Sequence, residues 1–264
     1  MGLLSLTVGL TLVGFFWLPD DPLEFSPQRF ASPSLAHPLG TDWFGRDLLA
    51  RVLVGGRASL GIAGGAVALG ALLGLLVGGV AGWRGGGWEE FLMRGVDFLL
   101  SFPALLLALL LATSLGPGPW AITLAIASFN VPYFARVVRG ALLVLREEEY
   151  VLAARAVGAS PTRILLRHLL PNLASPLLVQ LTVSLSAAVL AEAAFSYLGL
   201  GSQPPHPSWG RMLKEARTYV GRSPWPALVP GLFIIATCLG LNLVGDGLRD
   251  LLDPRLSRLP ARRP

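Results

Sequence analysis

Long apolar runs separated by shorter polar stretches dominate the hydrophobic pattern of this chain. Six such runs cover roughly residues 2–18, 58–82, 98–116, 119–138, 176–199 and 227–246. A helix needs about 20 apolar residues to cross about 30 Å of hydrocarbon, and every run except the first meets that length. The pattern therefore predicts an all-α membrane protein with six transmembrane helices.

Composition supports this class and excludes several others. Of 264 residues, 53% are hydrophobic and only 14% are charged, whereas soluble domains carry about 25% charged residues. The net charge of +5 comes with no soluble basic patch interleaved with aromatic residues, which argues against nucleic-acid binding. The lone Cys238 cannot form an intramolecular disulfide, and the three scattered histidines have no metal-ligand spacing.

The ends of the chain are predicted to lie in the cytoplasm. The first apolar run has no basic residues at its N-terminal end and no small-residue cleavage site before Pro19. It is therefore predicted to be a retained transmembrane span rather than a cleaved signal peptide. Six spans place both termini on one side of the membrane. That side then holds 13 of the 21 basic residues, and basic residues favour the cytoplasmic side. We expect a multi-pass protein of the cell inner membrane.

Small residues and prolines mark the predicted spans. The stretch 55–87 is rich in Gly and Ala, which let helix backbones approach closely in lipid. It predicts tight packing, either within the chain or against a second subunit. Pro103, Pro132 and Pro230 predict kinks, since each removes a backbone donor.

A polar insert at 141–175 separates two of the spans. Acidic residues at 147–149 suit the first turn of a helix, and Gly158 suits a turn with positive φ that ends it. Ser160 and Pro161 then restart a helix as N-cap and first residue, and Pro171 is predicted to end it. Two short helices joined at a glycine fit a partner's cleft, or form an amphipathic surface on the membrane.

The segment EYVLAARAVGASPTRILLRHLLP at 149–171 resembles the EAA loop of binding-protein-dependent ABC transporter permeases. That motif reads E-A-A, three residues, Gly, nine residues, then I-x-L-P. Ala153, Ala154 and Gly158 match, and Leu170 with Pro171 follows at the right distance. The resemblance implies an ATPase-coupling loop, with these residues as its contacts: Glu149, Tyr150, Ala153, Ala154, Gly158, Ala159, Ser160, Leu170 and Pro171.

Two positions of the loop depart from the motif. Leu152 replaces the glutamate, and His168 stands where isoleucine is usual. The glutamate is therefore not available as a contact, and docking of an ATPase must rest on shape more than on that charge.

Further stretches are similar to the C-type permease subunits of dipeptide, oligopeptide and nickel importers. They are HPLGTDWFGRDLLARVLVGGRASL (37–60), MRGVDFLLSFPALLLA (93–108), FSYLGLGSQPPHPSWGRML (195–213) and NLVGDGLRDLLDPRL (242–256). The resemblance implies the type I ABC importer permease fold, with a first helix and external loop at 1–57, a five-helix core at 58–247 and a cytosolic tail at 248–264.

The same resemblance implies partners and an energy source. The importers contain a second, homologous permease, two cytosolic ABC ATPases that bind ATP with Mg²⁺, and an external substrate-binding protein. This chain has no GxxxxGK[ST] phosphate loop, so it binds no cofactor and hydrolyses no ATP itself. We predict no catalytic and no metal-ligating residue. We expect the chain to form half of a translocation path for dipeptides or oligopeptides. The sequence alone does not distinguish between these and other cargoes.

Two other classes of function are weaker. An ion-coupled secondary transporter usually places several ionisable residues within the membrane, and only Glu192 lies clearly inside a span. A membrane-embedded enzyme acting on lipid would need a paired carboxylate, a His cluster or a nucleophile with a base, and the sequence offers none.

Polar residues within the spans are candidates for the path. Glu192, and less strongly Asn130 and Asn242, could line it or could form helix–helix hydrogen bonds. Asp97 lies three residues after Arg94, a spacing that predicts a local ion pair.

The outer loop at 200–226 is a candidate partner surface. Ser208 can cap a short helix that carries Trp209 and Met212, with Trp209 predicted as an aromatic anchor at the membrane interface. This helix could receive the binding protein or help to close an outer gate, or it could serve simple packing.

Overall fold

The computed structural model describes residues 17–252 together with Gly9, Thr11 and Gly14. This part of the chain contains helices and one isolated β-bridge, between Thr41 and Asp47, and the predicted all-α class is confirmed. The α-helices are α1 (Leu48–Arg84), α2 (Gly86–Ser101), α3 (Ala104–Leu115), α4 (Pro119–Leu145), α5 (Glu149–Ala156), α6 (Pro161–Ile164), α7 (Leu170–Leu198), α8 (Trp209–Ala216) and α9 (Trp225–Leu252). The predicted first span at 2–18 lies almost wholly outside the described residues.

Within the described residues, four helical runs are long and apolar enough to cross a membrane: α1, α4, the run Pro161–Leu198 and α9. The pair α2 and α3 makes a fifth if it is one span, but it bends by 88°. The predicted apolar run 98–116 covers the last residues of α2 and the whole of α3, on both sides of this bend. The bend falls at Phe102 and Pro103, because proline lacks the N–H that would continue the helix, and the predicted break there is confirmed.

The chain folds into two compact units, each assembled from three stretches. Unit 1 comprises Met1–Ala68, Phe102–Ala127 and Leu185–Leu241, and unit 2 comprises Leu69–Ser101, Ser128–Ser184 and Asn242–Pro264. Contacts between distant parts of the sequence hold each unit together. The boundaries predicted after residues 57 and 247 stay a prediction.

Unit 1 packs α8 against the beginning of α1. Asp47 caps α1, since its Oδ1 accepts a hydrogen bond of 2.8 Å from the backbone N–H of Ala50. A Cβ on Gly210 would overlap the backbone of Ala193, so α8 lies directly on α7. This close contact positions α8.

Unit 2 packs the last turns of α1 against α4 through three glycines. A Cβ on Gly74 or Gly78 would collide with the α4 backbone near Ala135, and one on Gly82 would press on Leu142. Small residues permit this approach, so close packing predicted from the glycine-rich stretch is confirmed within the chain at these positions.

Ion pairs also join α2 to α4 in unit 2. Arg136 Nη2 lies 2.6 Å from Asp97 Oδ1, and Arg139 pairs with Glu89. The predicted pair between Asp97 and Arg94 is wrong. Arg94 instead contacts Glu90 one turn earlier on its own helix, at 2.5 Å, which leaves Asp97 for α4.

Candidate functional site

Two short helices joined by a glycine turn form the segment between α4 and α7. At the end of α5, the N–H of Gly158 donates to the carbonyl of Arg155, and the N–H of Ala159 donates to that of Ala154. These two bonds define a Schellman motif, which needs the positive φ of +80° that Gly158 adopts. Ser160 Oγ then accepts from the Arg163 N–H at 3.3 Å and caps α6. The predicted glycine turn and serine cap are both confirmed.

A hydrophobic cluster holds this segment in place. We call it the loop core; its buried members are Val138, Leu142, Val151, Ile164, Leu169 and Leu173. Val151 belongs to α5 and Ile164 to α6, so each short helix is anchored on the same cluster as α4 and α7. The two short helices therefore have a defined orientation relative to the spans that flank them.

The second short helix continues into α7 without a break, so the prediction that Pro171 ends it is wrong. A π-helical turn at Leu165–Leu169 connects α6 to α7. In that turn the N–H of Leu170 bonds the carbonyl of Leu165, five residues earlier. Proline at 171 lacks an N–H, and the wider turn lets the chain remain helical around it.

The side chain of Asn172 supports the same turn. Its Nδ2 donates to the carbonyl of His168 at 2.6 Å and lies 3.4 Å from the hydroxyl oxygen of Tyr150. Burial raises the pKa of the Tyr150 phenol, and the carboxylate of Glu148 raises it further. The hydroxyl therefore stays protonated at neutral pH and joins the beginning of α5 to the beginning of α7.

The residues predicted to couple to an ATPase divide between two sides of this segment. Ala154, Ala159 and Leu170 are partly buried and pack against the loop core. The others are exposed: Glu149, Tyr150, Ala153, Gly158, Ser160 and Pro171. Sequence reasoning missed two exposed apolar neighbours, Leu152 at 46% and Val157 at 85% exposure, which only the folded structure identifies.

The short helix α8 begins as predicted, because Ser208 Oγ accepts from the Arg211 N–H at 3.2 Å. The predicted interfacial anchor at Trp209 is wrong, since its side chain is completely buried in unit 1. The indole fits over Gly56 of α1, where a Cβ would collide with the ring. Met212 is buried as well. A role of Trp209 and Met212 in gating or partner binding stays a prediction.

A network of ion pairs, which the sequence analysis did not find, joins α8 to the beginning of α1 and to the chain just before it. Arg46 Nη2 and Arg51 Nη2 each lie 2.9 Å from Glu215 Oε2. Asp42 Oδ2 lies 2.7 Å from Arg46 Nε, and Arg211 Nε lies 3.2 Å from Glu215 Oε1. Two pairs of this network, Asp42 with Arg46 and Arg211 with Glu215, have a spacing of four residues that the sequence shows. The contacts between Glu215 and the arginines at 46 and 51 join residues far apart in sequence.

Glu192 is fully buried in unit 1. Its Oε1 accepts a 2.7 Å hydrogen bond from Ser196 Oγ on the same helix. The hydroxyls of Ser59 and Ser208 also face this carboxyl group, although Oε2 has no partner of standard geometry among the described residues. This arrangement favours a structural hydrogen-bonding role, one of the two alternatives, over exposure to a path.

The other polar candidates differ in burial. Asn130 is buried and Asn242 is exposed, and both belong to unit 2. Whether either one lines a path stays a prediction. Over the residues that the structure describes, no group of three or more His, Cys, Asp or Glu side chains is arranged to hold a metal ion.

Comparison with known proteins gives consistent results. The family model described as "Binding-protein-dependent transport system inner membrane component" matches residues 70–258. The chain is 42% identical over 234 residues to the dipeptide transport system permease protein DppC of Alkalihalophilus pseudofirmus, covering 88% of this chain and 77% of that one. It is 46% identical over 224 residues to the glutathione transport system permease protein GsiD of Escherichia coli, covering 85% and 74%.

A structural relative supports the fold. The chain matches an inward-facing structure of the MetNI methionine ABC transporter with a TM-score of 0.64, covering 77% of this chain and 96% of that one at 20% identity. At that identity the match establishes the fold alone, which agrees with the predicted permease architecture. The family match and the two permease relatives together show that this chain belongs to the inner membrane components of binding-protein-dependent transport systems.

Proposed function

We propose that this chain is one of two permease subunits of an ATP-driven ABC importer of dipeptides or oligopeptides. One observation carries the proposal. The segment between α4 and α7 is rigidly capped and anchored on the loop core, yet it presents an exposed outer side. A short polar segment built in this way can transmit the movement of a docked partner to the two spans that flank it.

The proposed ATPase partners follow from the absence of an ATP-binding motif in this sequence. Since this sequence has no phosphate-binding loop, the ATP hydrolysis that drives import would be supplied by other proteins. Two cytosolic ATPases would bind ATP with Mg²⁺, and one of them would dock on the segment 149–171. A second, homologous permease would complete the path, and an external substrate-binding protein would deliver cargo. The arginine distribution supports cytoplasmic termini, which places this segment on the ATPase side.

The cargo class is suggested by relatives. Two permeases that cover most of this chain carry names that refer to dipeptide and to glutathione transport. Dipeptides and glutathione are both short peptides with ionised ends. We therefore propose short peptides as the cargo, and the separate binding protein as the main source of selectivity among them.

The test combines purification and transport. The affinity-tagged chain would be purified from its native membrane, and co-purifying proteins identified by mass spectrometry, for the wild type and for Gly158→Val. A β-branched residue at φ +80° is strained, so the variant should lose the ATPases and retain the second permease. Gly140→Val is the matched control, because it replaces an exposed glycine within α4 that lacks a positive φ.

Reconstituted vesicles separate this function from the alternative. Uptake of labelled dialanine, with the binding protein and ATPases present, should require ATP and should persist when ionophores collapse ion gradients. Uptake that follows an ion gradient and needs no ATP would support an ion-coupled secondary transporter instead.

A further inference from the structure

A cavity of about 450 Å³ lies in unit 2 beside the end of α1. Its charged lining residues are Arg146, Glu147 and Arg155, and Trp83 and Ile164 form apolar parts of its wall. We call it the arginine cavity. Sites for small molecules have volumes of about 300–1,000 Å³, so the arginine cavity is large enough to hold a small polar group.

The charged side chains give the arginine cavity a positive balance. Among the described residues, two guanidinium groups and one carboxylate line it, which is a net charge of +1. Arg146 Nε lies 3.1 Å from Glu147 Oε1, whereas Arg155 is exposed and forms no ion pair with any residue that the structure describes. Arg155 can therefore contact an anion from outside the chain, and a guanidinium group matches two oxygens of a phosphate group.

The wall contributed by α1 lies where the apolar part of that helix ends. The apolar run 58–82 stops one residue before Trp83, and Arg84 follows as the last residue of α1. Tryptophan and arginine at the end of a span are typical of the headgroup region of a bilayer. The side chain of Trp83 also packs against the loop core, so this wall has a fixed position. The arginine cavity is therefore placed to meet lipid headgroups.

An exposed apolar stripe on α1 leads away from the arginine cavity. We call it the α1 stripe; its members are Leu72, Leu76 and Val80, which are all exposed. Their spacing of four residues, with Trp83 three residues further on, places them on the same side of the helix as Trp83. At 1.5 Å per residue the distance from position 72 to position 83 is about 16 Å. One leaflet of a bilayer has a hydrocarbon depth of about 15 Å, which one acyl chain fills.

We propose that the arginine cavity binds the phosphate group of an anionic phospholipid, with one acyl chain of that lipid along the α1 stripe. Arg155 and Arg146 would contact the phosphate oxygens, and Trp83 would lie beside the glycerol. A headgroup with one net negative charge balances the charge of the cavity, whereas a zwitterionic headgroup does not. The inference uses only the span α1 and this cavity, so it does not depend on the proposed import function.

A second cavity of unit 2, of about 540 Å³, lacks this chemistry. Its charged lining residues are Glu89, Glu90, Asp97, Arg136 and Arg139. Both arginines are already paired, Arg136 with Asp97 and Arg139 with Glu89. Three carboxylates and two guanidinium groups give the described lining a net charge of −1, which would repel an anionic headgroup. The proposal is therefore specific to the arginine cavity.

The test measures binding of phosphatidylglycerol to the chain, purified in detergent with the partners that accompany it. Native mass spectrometry would give the apparent affinity of the wild type and of Arg155→Gln. Loss of one arginine contact should weaken binding about fivefold. Arg163→Gln is the matched control, because Arg163 is also exposed but does not line the cavity, and it should bind as the wild type does. Equal affinities of Arg155→Gln and Arg163→Gln would overturn the inference.

A variant of Glu147 adds a test that a folding defect cannot imitate. Glu147→Gln removes the one carboxylate that lines the cavity among the described residues, and it leaves Arg146 without that partner. It should therefore bind phosphatidylglycerol about threefold more tightly than the wild type. Glu147→Asp keeps the charge and should bind as the wild type does. Unchanged or weaker binding by Glu147→Gln would contradict the proposed charge balance.

Other ligands distinguish a lipid headgroup from a free phosphate. Phosphatidylethanolamine, which is zwitterionic, should bind about fivefold more weakly than phosphatidylglycerol. Glycerol phosphate has no acyl chain to cover the α1 stripe, so at equal concentration it should not displace phosphatidylglycerol. Displacement under that condition would assign the cavity to a soluble phosphate and overturn the inference. Binding of phosphatidylglycerol only after partner proteins have been stripped away would assign the cavity to a protein contact, with the same consequence.

Discussion

The indole Nε1 of Trp209 donates a hydrogen bond of 2.9 Å to the backbone carbonyl of Val52. A second contact accompanies it, since the backbone N–H of Trp209 donates to Ser59 Oγ at 3.1 Å. Both contacts tie the beginning of α8 to α1. The helix α8 is therefore fixed by a buried side chain of its own rather than by an exposed tryptophan.

Replacing the Trp209 side chain should destabilise unit 1. We expect Trp209→Ala to lower the free energy of unfolding in detergent by about 3–5 kcal/mol, because it leaves a cavity. Trp209→Phe keeps most of the volume, and loss of the hydrogen bond should cost about 1 kcal/mol. Trp120→Ala, at a 78% exposed tryptophan, is the control. Equal melting temperatures for Trp209→Ala and Trp120→Ala would contradict the assigned role.

Two adjacent glycines of α1 provide a test of close packing in unit 2. A Cβ on Gly78 would overlap the backbone of Ala135, whereas one on Gly79 would meet nothing within 4 Å. Gly78→Ala should therefore lower stability by about 1–3 kcal/mol through overpacking, and Gly79→Ala should not. The measurement is thermal unfolding of the two variants in the same detergent. Equal melting temperatures for Gly78→Ala and Gly79→Ala would contradict close packing at Gly78.

Glu215 forms ion pairs with two buried guanidinium groups, those of Arg46 and Arg51. The side chains of Arg46 and Arg51 are only 7% and 2% exposed, while that of Glu215 is 22% exposed. Glu215→Gln leaves both cations without that carboxylate, and we expect a loss of about 2–4 kcal/mol, reduced somewhat by the water that reaches position 215. Glu90→Gln breaks an exposed pair with Arg94 and should cost less than about 1 kcal/mol. Similar unfolding free energies for the two variants would argue against a buried network.

The cap of α6 should control local order in the segment between α4 and α7. Ser160→Ala removes the acceptor for the Arg163 N–H, a change worth about 1 kcal/mol at a helix N-cap. Amide hydrogen exchange over 161–169 should therefore become faster, about fivefold. Ser160→Asp keeps an acceptor and should exchange like the wild type. Unchanged exchange in Ser160→Ala would mean that the loop core alone orders this helix.

Variants of Glu192 distinguish a structural role from a path-lining role. Glu192→Gln keeps an oxygen that can accept from Ser196 Oγ, so stability and transport should both be close to wild type. Glu192→Ala leaves buried hydroxyls without an acceptor and should lower stability by about 1–3 kcal/mol. A different result would contradict the structural role. If Glu192→Gln has normal stability but an altered preference among labelled dipeptides, the carboxylate lines the path.

Local chemistry explains which features were predictable. Gly158, Ser160 and Ser208 act within a few residues of their own position, so the sequence alone indicates the turn and both caps. The bend at Pro103 is predictable for the same reason. Asp97 was misassigned because helical spacing offers Arg94 as a partner, whereas Arg136, 39 residues away in sequence, becomes its partner only after α2 packs on α4.

The sequence by itself determined the class of this protein. Three features depend only on residues that are neighbours in sequence. They are the apolar runs long enough to cross a bilayer, the short polar signals between them and the stretches that resemble known permeases. The tertiary structure alone decided which side chains are covered. It buried Trp209 against α1, joined Glu215 to Arg46 and Arg51, and left Leu152 and Val157 exposed. Burial and ion pairing depend on how distant helices pack, and that packing is a property of the whole chain rather than of any single segment.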